Sequence, residues 1–328
     1  MADVTLKQIA EIAGVSAATV SYVLSGKRKV SKATELRVLS VAKQLNYSPN
    51  LFAQQLKRGE SFLIFALLNT YSSSFNGEAL QKIEHSFEEK GYRLLAMTGG
   101  LDDIIRTNIF DGGIILNYHT TKQEIQTLEE STGKPLILLS NQSNQKNTAS
   151  VIMDNFGGMK LVLAEFAKSE HQNICFIQGP EGSYNNTSRA ESARYFYKEL
   201  FQRDDFDIRL YRGNFVSDES YKLAFHLLKN KLYNAFVCFN DSTALGVYKA
   251  AYELGIQVGK DISVAGFDNT SYSEFVSPAL TTVDVDKDLW AKEVVKNYLA
   301  LKDRSIETNE VKIPASLIKR GSIKYKSI

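Results

Sequence analysis

The stretch that decides the fold of the N-terminal part of this chain begins at Thr5 and reads Thr5-Leu-Lys-Gln-Ile-Ala-Glu-Ile-Ala-Gly-Val-Ser-Ala-Ala-Thr-Val-Ser-Tyr-Val-Leu-Ser25. Thr5 and Gln8 have the spacing of a capping box, in which each side chain accepts a hydrogen bond from the other residue's backbone amide. They predict a first helix from about Leu6 to Ala13. Gly14 then supplies the left-handed backbone that a sharp turn needs.

A second helix, capped by Ser16 and reaching about Leu24, completes a predicted helix-turn-helix. Ala10 is small where the two helices meet, and Val20 faces back onto the first helix. An ordinary helical hairpin also explains a glycine at the turn and apolar residues on one face. It does not explain the exposed residues where a recognition helix meets base edges: Ala17, Ala18, Ser21 and Tyr22.

The same region continues with two further predicted helices. Ser31 caps a third helix that reaches about Leu45, with apolar residues at helical spacing: Val38, Leu39, Ala42 and Leu45. The segment Asn46-Tyr-Ser-Pro49 breaks the chain, and Asn50 caps a short helix from Leu51 to Arg58 that Gly59 closes.

The charge of the chain is unevenly distributed. Residues 1 to 60 carry nine Lys or Arg against four Asp or Glu, a net charge of +5, which leaves −3 for the remainder because the whole chain has +2. The basic run Lys27-Arg28-Lys29 directly follows the second helix. A basic segment 1–60 followed by a slightly acidic remainder indicates that only the first sixty residues contact the phosphates of a nucleic acid.

Several features argue against export, a membrane span and a cofactor. No charged-then-apolar signal opens the sequence and no apolar run is long enough to span a bilayer, so we expect a cytoplasmic protein without a membrane partner. Cys175 and Cys238 lie in apolar runs typical of buried strands and are expected to be core residues. The four histidines, His85, His119, His171 and His226, do not have the spacing of metal ligands, so we expect no metal site. We also expect no other cofactor.

From Ser61 onward, short apolar runs alternate with amphipathic stretches, which predicts parallel sheets with crossover helices. The predicted strands are Phe62 to Leu68, Arg93 to Met97, Gly112 to Leu116, Pro135 to Leu139, Val151 to Met153, Ile174 to Gln178, Ala235 to Phe239 and Ile262 to Phe267. Their number indicates two α/β units, which we interpret as possible repeats of one structural motif. Between Met97 and Asp111 the chain leaves room for little of a crossover helix.

Enzyme signatures are missing from the sequence. It contains no Gly-x-Gly-x-x-Gly after a strand, no phosphate loop and no Gly-x-Ser-x-Gly elbow. The paired acids Asp102-Asp103 and Asp204-Asp205 fall in polar loops. No catalytic residue is therefore assigned, and a sugar-processing enzyme with a DNA-binding head is kept only as an alternative.

Polar and aromatic residues cluster near the predicted strand ends, where open α/β sheets bind ligands. Carboxylates accept from adjacent hydroxyls, arginine donates in a fork, and aromatic faces cover the apolar side of a sugar ring, so the set suits a carbohydrate. Taken singly, Asp241 also suits a helix cap and Asp268 a turn. The candidate effector-binding residues are Asn69, Tyr71, Phe75, Asn117, Tyr118, Arg189, Phe215, Asn240, Asp241 and Asp268.

Short motifs throughout the chain resemble the lactose-repressor (LacI/GalR) family of bacterial transcription regulators. In the head and hinge these are Val4-Thr-Leu, Ile9-Ala-Glu, Ala13-Gly-Val-Ser16, Thr19-Val-Ser, Leu45-Asn-Tyr-Ser-Pro-Asn50 and Ala53-Gln-Gln-Leu56. In the body they are Phe239-Asn-Asp-Ser-Thr-Ala-Leu-Gly246, Asp261-Ile-Ser-Val-Ala-Gly-Phe-Asp268 and Pro278-Ala-Leu-Thr-Thr282. The resemblance thus covers nearly the whole chain.

For DNA binding, the resemblance implies that the short helix after the hinge turn lies in the minor groove, where Leu56 wedges into the central base step. Tyr22 and Ser25 stand where many members carry Arg and Asn, so an operator sequence does not transfer from a relative. The implied DNA-binding residues are Thr5, Leu6, Ser16, Ala17, Ala18, Thr19, Ser21, Tyr22, Lys29, Val30, Ser31, Asn50, Ala53, Gln54, Leu56 and Lys57.

For the body, the resemblance implies a core like that of periplasmic sugar-binding proteins, with crossovers near Asp154-Asn155, Val283 to Val285 and Lys312-Ile313. Arg189 matches the family's ligand-clamping arginine, Asp241 or Asn240 its hydroxyl-binding residue, and Asp268 its second carboxylate. The expected organisation is a helix-turn-helix headpiece in 1–48, a hinge in 49–60, and a core in 61–328, with lobe one about 61–154 and 286–312 and lobe two about 155–283 and 313–328.

These features together predict a DNA-binding regulator. One headpiece reads one half-site, so we expect a homodimer on a near-palindromic, double-stranded operator, repressing a carbohydrate-utilisation operon until a small sugar releases it. A regulator that uses a purine or protein corepressor on the same scaffold stays open as an alternative.

Overall fold

The computed structural model describes residues 4–25, 30–47, 60–101, 103–107 and 109–326. The chain divides into two compact units, Met1–Ser61 and Phe62–Ile328. Within the described ranges, no helix is long and apolar enough to cross a membrane. The same ranges contain no group of three or more His, Cys, Asp or Glu side chains placed to hold a metal ion.

The N-terminal unit is a three-helix bundle of α1 (Leu6–Ala13), α2 (Ala17–Ser25) and α3 (Lys32–Gln44). Its core consists of small and β-branched side chains that are almost fully buried: Ile9, Ala10, Ala13, Val20, Val38, Val41 and Ala42. The first three predicted helices are confirmed to within one residue, and the fourth, Leu51 to Arg58, lies outside the described residues. Leu39 is the exception among the predicted core residues, since it is 44% exposed and Val41 takes the inward position instead.

Local caps explain where these helices begin and how the turn forms. The Thr5 amide donates to Gln8 Oε1 at 2.8 Å and the Gln8 amide donates back to Thr5 Oγ1 at 3.4 Å, which confirms the capping box. Gly14 adopts φ 63, the left-handed conformation that costs glycine least. The Thr19 amide then donates to Ser16 Oγ at 3.1 Å at the start of α2.

The larger unit contains two six-stranded sheets. The first sheet holds β1 (Leu63–Leu68), β2 (Arg93–Thr98), β3 (Gly112–Ile115), β4 (Leu136–Leu138), β5 (Thr148–Met153) and β11 (Thr308–Ile313), in the order β11-β5-β4-β3-β1-β2. The second holds β6 (Ile174–Gln178), β7 (Leu210–Arg212), β8 (Ala235–Cys238), β9 (Ser263–Phe267), β10 (Thr281–Val285) and β12 (Ala315–Ile318), in the order β12-β10-β9-β8-β6-β7. Every pairing is parallel except that of β10 with β12.

The two sheets have the same strand order, with corresponding strands in corresponding places. This shared order supports the interpretation of the two halves as repeats of one motif. The helices between the strands are α4 (Ser74–Glu88), α5 (Asp103–Arg106), α6 (Lys122–Thr132), α7 (Asn155–Ala167), α8 (Tyr184–Phe201), α9 (Ser217–Lys229), α10 (Asp241–Glu253), α11 (Tyr272–Phe275) and α12 (Lys287–Lys302). As predicted from the short segment before Asp111, α5 is a single turn.

The chain passes between the two sheets three times, which confirms the predicted two-lobe architecture. It leaves the first lobe after β5, returns after β10, and crosses again between β11 and β12. After the second crossing α12 packs on α4 and β5 of the first lobe. The indole of Trp290 fixes it there by donating to the Val151 carbonyl at 2.7 Å.

All eight predicted strands are present, with ends shifted by three residues or fewer. Four strands were not predicted: β7, β10, β11 and β12. β11 reads Thr-Asn-Glu-Val-Lys-Ile, so as a largely exposed edge strand it has no apolar run to reveal it. Cys175 and Cys238 lie in β6 and β8 as free thiols, and burial raises the pKa of both.

Candidate functional site

The start of α2 presents a polar surface on the N-terminal unit. Ala18 and Ser21 are exposed, and the Tyr22 side chain is 40% exposed. Leu6 and Ala17, which are also predicted to bind DNA, are half-buried and pack against the core of this unit. The helices α1 and α3 of the same unit carry exposed cations: Lys7, Lys32, Arg37 and Lys43.

The remaining predicted DNA-binding residues fall into two groups. Thr5, Ser16 and Ser31 are exposed helix caps, Thr19 Oγ1 lies 2.9 Å from Ser16 Oγ, and Val30 is half-buried. The others lie outside the residues that the structure describes: Lys29, Asn50, Ala53, Gln54, Leu56 and Lys57.

A cavity of about 500 Å³ lies between the lobes of the larger unit, at the carboxyl ends of strands from both sheets. In open α/β sheets this edge is the usual ligand site. Seven predicted effector-binding residues line it: Asn69, Phe75, Tyr118, Arg189, Phe215, Asn240 and Asp268. The lining is dominated by hydroxyl, amide and aromatic groups, which match a polyol with one apolar face.

Three predicted effector-binding residues do not line this cavity. Tyr71 is 63% exposed and its hydroxyl donates to the Ala96 carbonyl at 3.0 Å. Asn117 is buried, and its side chain is occupied by hydrogen bonds to neighbouring loops: it donates to the Gly99 carbonyl at 2.8 Å and accepts from the His119 amide at 2.9 Å. Their strand-end positions are right, but their side chains serve the surrounding loops.

Asp241 is the third, and its role is structural. Its carboxylate accepts from the Thr270 amide at 2.8 Å and from the Thr282 hydroxyl at 2.5 Å, which ties α10 to the segments around β9 and β10. Burial, reinforced by the negative charge of Asp268, raises the pKa of Asp241 to about 7. Of the two candidates for this position, Asn240 lines the cavity and caps α10.

Arg189 is the centre of the cavity floor and is only 2% exposed. Its Nε donates to Asn155 Oδ1 at 2.8 Å and its Nη1 donates to the Phe239 carbonyl. Nη2 lies 3.3 Å from Asp268 Oδ1, and the guanidinium carbon is 3.6 Å from the centre of the Phe267 ring. Stacked and hydrogen-bonded in this way, the side chain is fixed before any ligand arrives.

Asp268 is held in a strained conformation opposite Arg189. Its φ of 108 is unusual for a residue other than glycine, and the next residue, Asn269, has φ 44. Such strain gathers at ligand sites. Burial raises the pKa of Asp268 to about 6 even though Arg189 and Lys287 favour the charged form.

Aromatic rings stand on both sides of the cavity. Phe215 belongs to the second lobe and has φ 60, following Asn214 with φ 53. This turn lays the ring against Gly179, where an added Cβ would come within 2.3 Å of Phe215 Cζ. On the opposite side, the rings of Phe75 and Trp290 lie 5.7 Å apart. The two walls suit the two faces of a flat or ring-shaped ligand.

Several lining residues were missed by the sequence reasoning, among them Ser140, Ser183 and Asn185. Ser140 is the most informative, because its Oγ is buried and has no hydrogen-bond partner in the part of the chain that the structure describes. A buried hydroxyl without a partner is costly, so a ligand oxygen at this point would relieve it. The sequence could have identified Ser140 as a lining residue, because it directly follows the predicted strand Pro135 to Leu139.

A contact between the lobes lies beside the cavity. Glu78 on α4 accepts from the Ser271 amide of the second lobe at 2.9 Å and lies 3.4 Å from Lys287 Nζ. Lys287 also donates to the carbonyls of Asp268 and Asn269 at 2.9 and 3.2 Å. The loop that carries the Asp268 carboxylate is thus held from the first lobe.

Comparison with known proteins agrees with this two-unit plan. A model of bacterial regulatory proteins of the lacI family matches residues 5–50, and a model of periplasmic binding protein-like domains matches residues 163–323. The chain is 28% identical over 336 residues to the HTH-type transcriptional repressor PurR of Haemophilus influenzae (strain ATCC 51907 / DSM 11121 / KW20 / Rd), with 98% of each chain covered.

Solved structures give the same result. The Lac repressor dimer bound to operator and the anti-inducer ONPF matches with a TM-score of 0.83 at 27% identity, over 98% of this chain and 99% of that one. A sugar-binding transcriptional regulator (LacI family) from Enterococcus faecalis matches with a TM-score of 0.72 at 26% identity, over 82% of this chain and 99% of that one.

The helix-turn-helix unit, the two-lobed core and these matches show that the chain belongs to the LacI family of bacterial regulatory proteins. Both units have a counterpart in the Lac repressor structure, and the alignment with the PurR relative covers 98% of each chain. The protein is a DNA-binding transcriptional repressor and not an enzyme.

Proposed function

We propose that this repressor binds a near-palindromic operator as a homodimer and controls a carbohydrate-utilisation operon, from which a small sugar releases it. The observation that carries the sugar response is the cavity between the lobes. It combines a carboxylate at Asp268, a fixed guanidinium at Arg189 and aromatic walls at Phe75 and Phe215. Because its operator belongs to chromosomal DNA, we place its action in the cytoplasm.

The homodimer follows from geometry at the DNA. One three-helix unit offers one recognition helix, which covers one half-site, so an operator with two half-sites needs two copies related by a two-fold axis. The solved Lac repressor on its operator is a dimer, which supports the same assembly for this chain.

A purine effector is the second candidate, because relatives over the full length are repressors named PurR. A planar base would also fit between Phe75 and Phe215. The two candidates differ in direction: a sugar inducer lowers operator affinity, whereas a purine corepressor raises it.

The test begins with the operator. Chromatin immunoprecipitation identifies the bound sites, and fluorescence anisotropy on a labelled site measures the affinity over a range of salt. If ~6 to 10 phosphates are neutralised by the dimer, affinity falls roughly a thousandfold or more between ~50 and ~200 mM salt. A nearly flat salt dependence would contradict the N-terminal unit as the binding surface.

Effectors are then added to the preformed complex. Mono- and disaccharides are compared with purine bases for their effect on operator affinity, and calorimetry on the DNA-free protein measures their binding. Release by a sugar supports the proposal. Tightening by a purine base without any sugar effect would replace it with the corepressor alternative.

A further inference from the structure

The charges that line the cavity cancel each other. Within the described lining, the only charged side chains are Arg189 and Asp268, which lie 3.3 Å apart and compensate each other. The other polar side chains on that lining carry hydroxyls or amides, except Trp290, whose indole N–H already donates to the Val151 carbonyl. Burying an unpaired charge is strongly unfavourable, so the net charge of a site sets the charge of the ligand that it accepts.

Arg189 has little left to offer an anion. Its guanidinium already donates to Asn155, to the Phe239 carbonyl and to Asp268, with Met153 S at 3.8 Å from Nη2. Phe267 covers one face of the group. A phosphate or carboxylate is bound best by two parallel N–H groups of a fork, and here both sides of the fork are taken by the protein.

Helix N-termini at the cavity do not supply the missing positive charge. Four helices begin at its lining, and α4, α8 and α10 are capped there by their own side chains, Ser73, Ser183 and Asn240. α9 lacks a side-chain cap, but its first turn carries Asp218 and Glu219, whose charges oppose an anion. Its free amides can therefore donate to a neutral ligand oxygen more readily than to a phosphate.

We propose that the effector is uncharged: a neutral sugar, and not a sugar phosphate, a sugar acid or a nucleotide. That the effector is a sugar rests on the proposed function. That it carries no phosphate or carboxylate rests on the pairing of Arg189 with Asp268. Neutral hydroxyls fit what the cavity does leave open, namely the buried Ser140 Oγ and the second carboxylate oxygen of Asp268.

The experiment separates charge from chemical class. Calorimetry on the full-length protein uses matched pairs of probes: ribose with ribose 5-phosphate, trehalose with trehalose 6-phosphate, and hypoxanthine with inosine monophosphate. The expected result is binding only by neutral sugars. A phosphorylated member that binds more tightly than its neutral partner overturns the inference but leaves a sugar response standing. Binding by hypoxanthine alone overturns the sugar response and leaves the charge inference standing.

A pair of substitutions tests the charge balance without knowledge of the effector. Asp268→Asn removes the partner of Arg189 and should bring a gain of roughly tenfold to a hundredfold in affinity for inorganic phosphate, because a hydrogen bond to a charged group becomes available. Asp241→Asn is the matched control, since this buried carboxylate does not line the cavity, and it should bring no gain. Tight binding of phosphate by the wild-type protein overturns the inference.

A second variant guards against loss of folding in Asp268→Asn. Asn185 is half-buried on the lining and accepts from Asn155 Nδ2 at 2.9 Å, so Asn185→Lys adds an unpaired cation at the cavity and gives up this one hydrogen bond. It should also gain phosphate affinity, by roughly tenfold. If both folded variants fail to gain, charge pairing is not what excludes anions from this site.

Discussion

The two lobes share one strand order but contribute different chemistry to the cavity. The second lobe supplies fixed groups: Arg189, buried and stacked on Phe267, and Asp268 and Phe215, both in strained backbone conformations. The first lobe supplies neutral groups such as Asn69, Tyr118 and Ser140. The comparison teaches that a repeated fold fixes where a site lies, whereas the loops at the strand ends decide what each half does there.

The largest expected effect comes from removing the centre of the second-lobe side. Arg189→Ala should weaken effector binding by roughly a hundredfold or more, because it removes the hydrogen bonds that hold Asn155, the Phe239 carbonyl and Asp268 in place at the cavity. Operator affinity should stay within about threefold, which gives a repressor that the effector no longer releases. Calorimetry and anisotropy measure the two affinities.

Two variants control this result. Arg194→Ala alters an exposed arginine of the same helix, paired with Asp207, and should leave both affinities unchanged. Asn69→Ala on the first lobe should cost roughly tenfold in effector affinity, the scale of one hydrogen bond. Loss of operator binding by folded Arg189→Ala dimers would instead indicate a corepressor mechanism or a structural role.

The pH dependence should also come from the second lobe. The pKa of Asp268 is about 6, so acidification below pH 6 protonates the carboxylate that accepts ligand hydroxyls. Effector affinity should then drop by up to about tenfold per pH unit, because one unit below the pKa leaves about a tenth of the groups ionised. Calorimetry between pH 5 and 8 measures this, and Asp268→Asn should flatten the profile.

Folding stability should change in the opposite direction. The folded-state pKa of Asp268 lies above its ordinary value of 3.8, so its contribution to stability is present at low pH and is lost as the pH rises through about 6. The difference in melting temperature between wild type and Asp268→Asn should therefore depend on pH over this range. A constant difference would contradict the raised pKa.

Ser140→Ala tests the first-lobe side. It should lower effector affinity roughly fivefold to tenfold by removing one hydrogen bond to the ligand, while the ligand-free protein becomes slightly more stable because a buried hydroxyl without a partner is gone. Ser183→Ala is a useful contrast, since Ser183 caps α8 and its loss should reduce stability by about 1 kcal/mol. A Ser140→Ala variant with unchanged affinity would place the ligand elsewhere in the cavity.

The smallest expected effect concerns communication between the lobes. Glu78→Gln keeps the size of the side chain but weakens its contacts with Ser271 and Lys287. Effector affinity of the free protein should change by less than about threefold, while the effector's power to reduce operator affinity falls by a few-fold, part of a coupling of ~1 to 3 kcal/mol. Lys82→Met, which removes a surface partner of Asp288, is the control. Full coupling in Glu78→Gln would show that this contact transmits nothing.

The N-terminal unit was predictable nearly to the residue because short-range signals determine it. Capping residues, the glycine turn and the 3.6-residue period act within a few positions of each other, as Thr5, Gly14 and Val20 show. Leu39 was misassigned because both sides of α3 carry apolar residues, and only the packing of three helices decides which side faces inward.

The cavity was predictable in place but not in detail. The ends of parallel strands meet at one edge, so Asn69, Asn240 and Asp268 were found together. Neighbours such as Asn240 and Asp241 point in different directions, however, and the sequence does not reveal that Thr270 and Thr282 draw the second one away. Ser140 was not predicted to line the cavity, because a serine carries no distinctive sequence signal and its burial is known only from the structure.

The three crossings between the lobes have a consequence for synthesis. The first lobe contains β11, which pairs with β5 but follows every strand from β6 to β10 along the chain. During synthesis, β5 therefore keeps one edge unpaired while β6 to β10 emerge from the ribosome, and open edges invite pairing with other chains. The α1–α3 bundle, made of neighbouring segments, has no such delay. A nascent chain can thus carry a finished DNA-reading head before it has any means of sensing the effector.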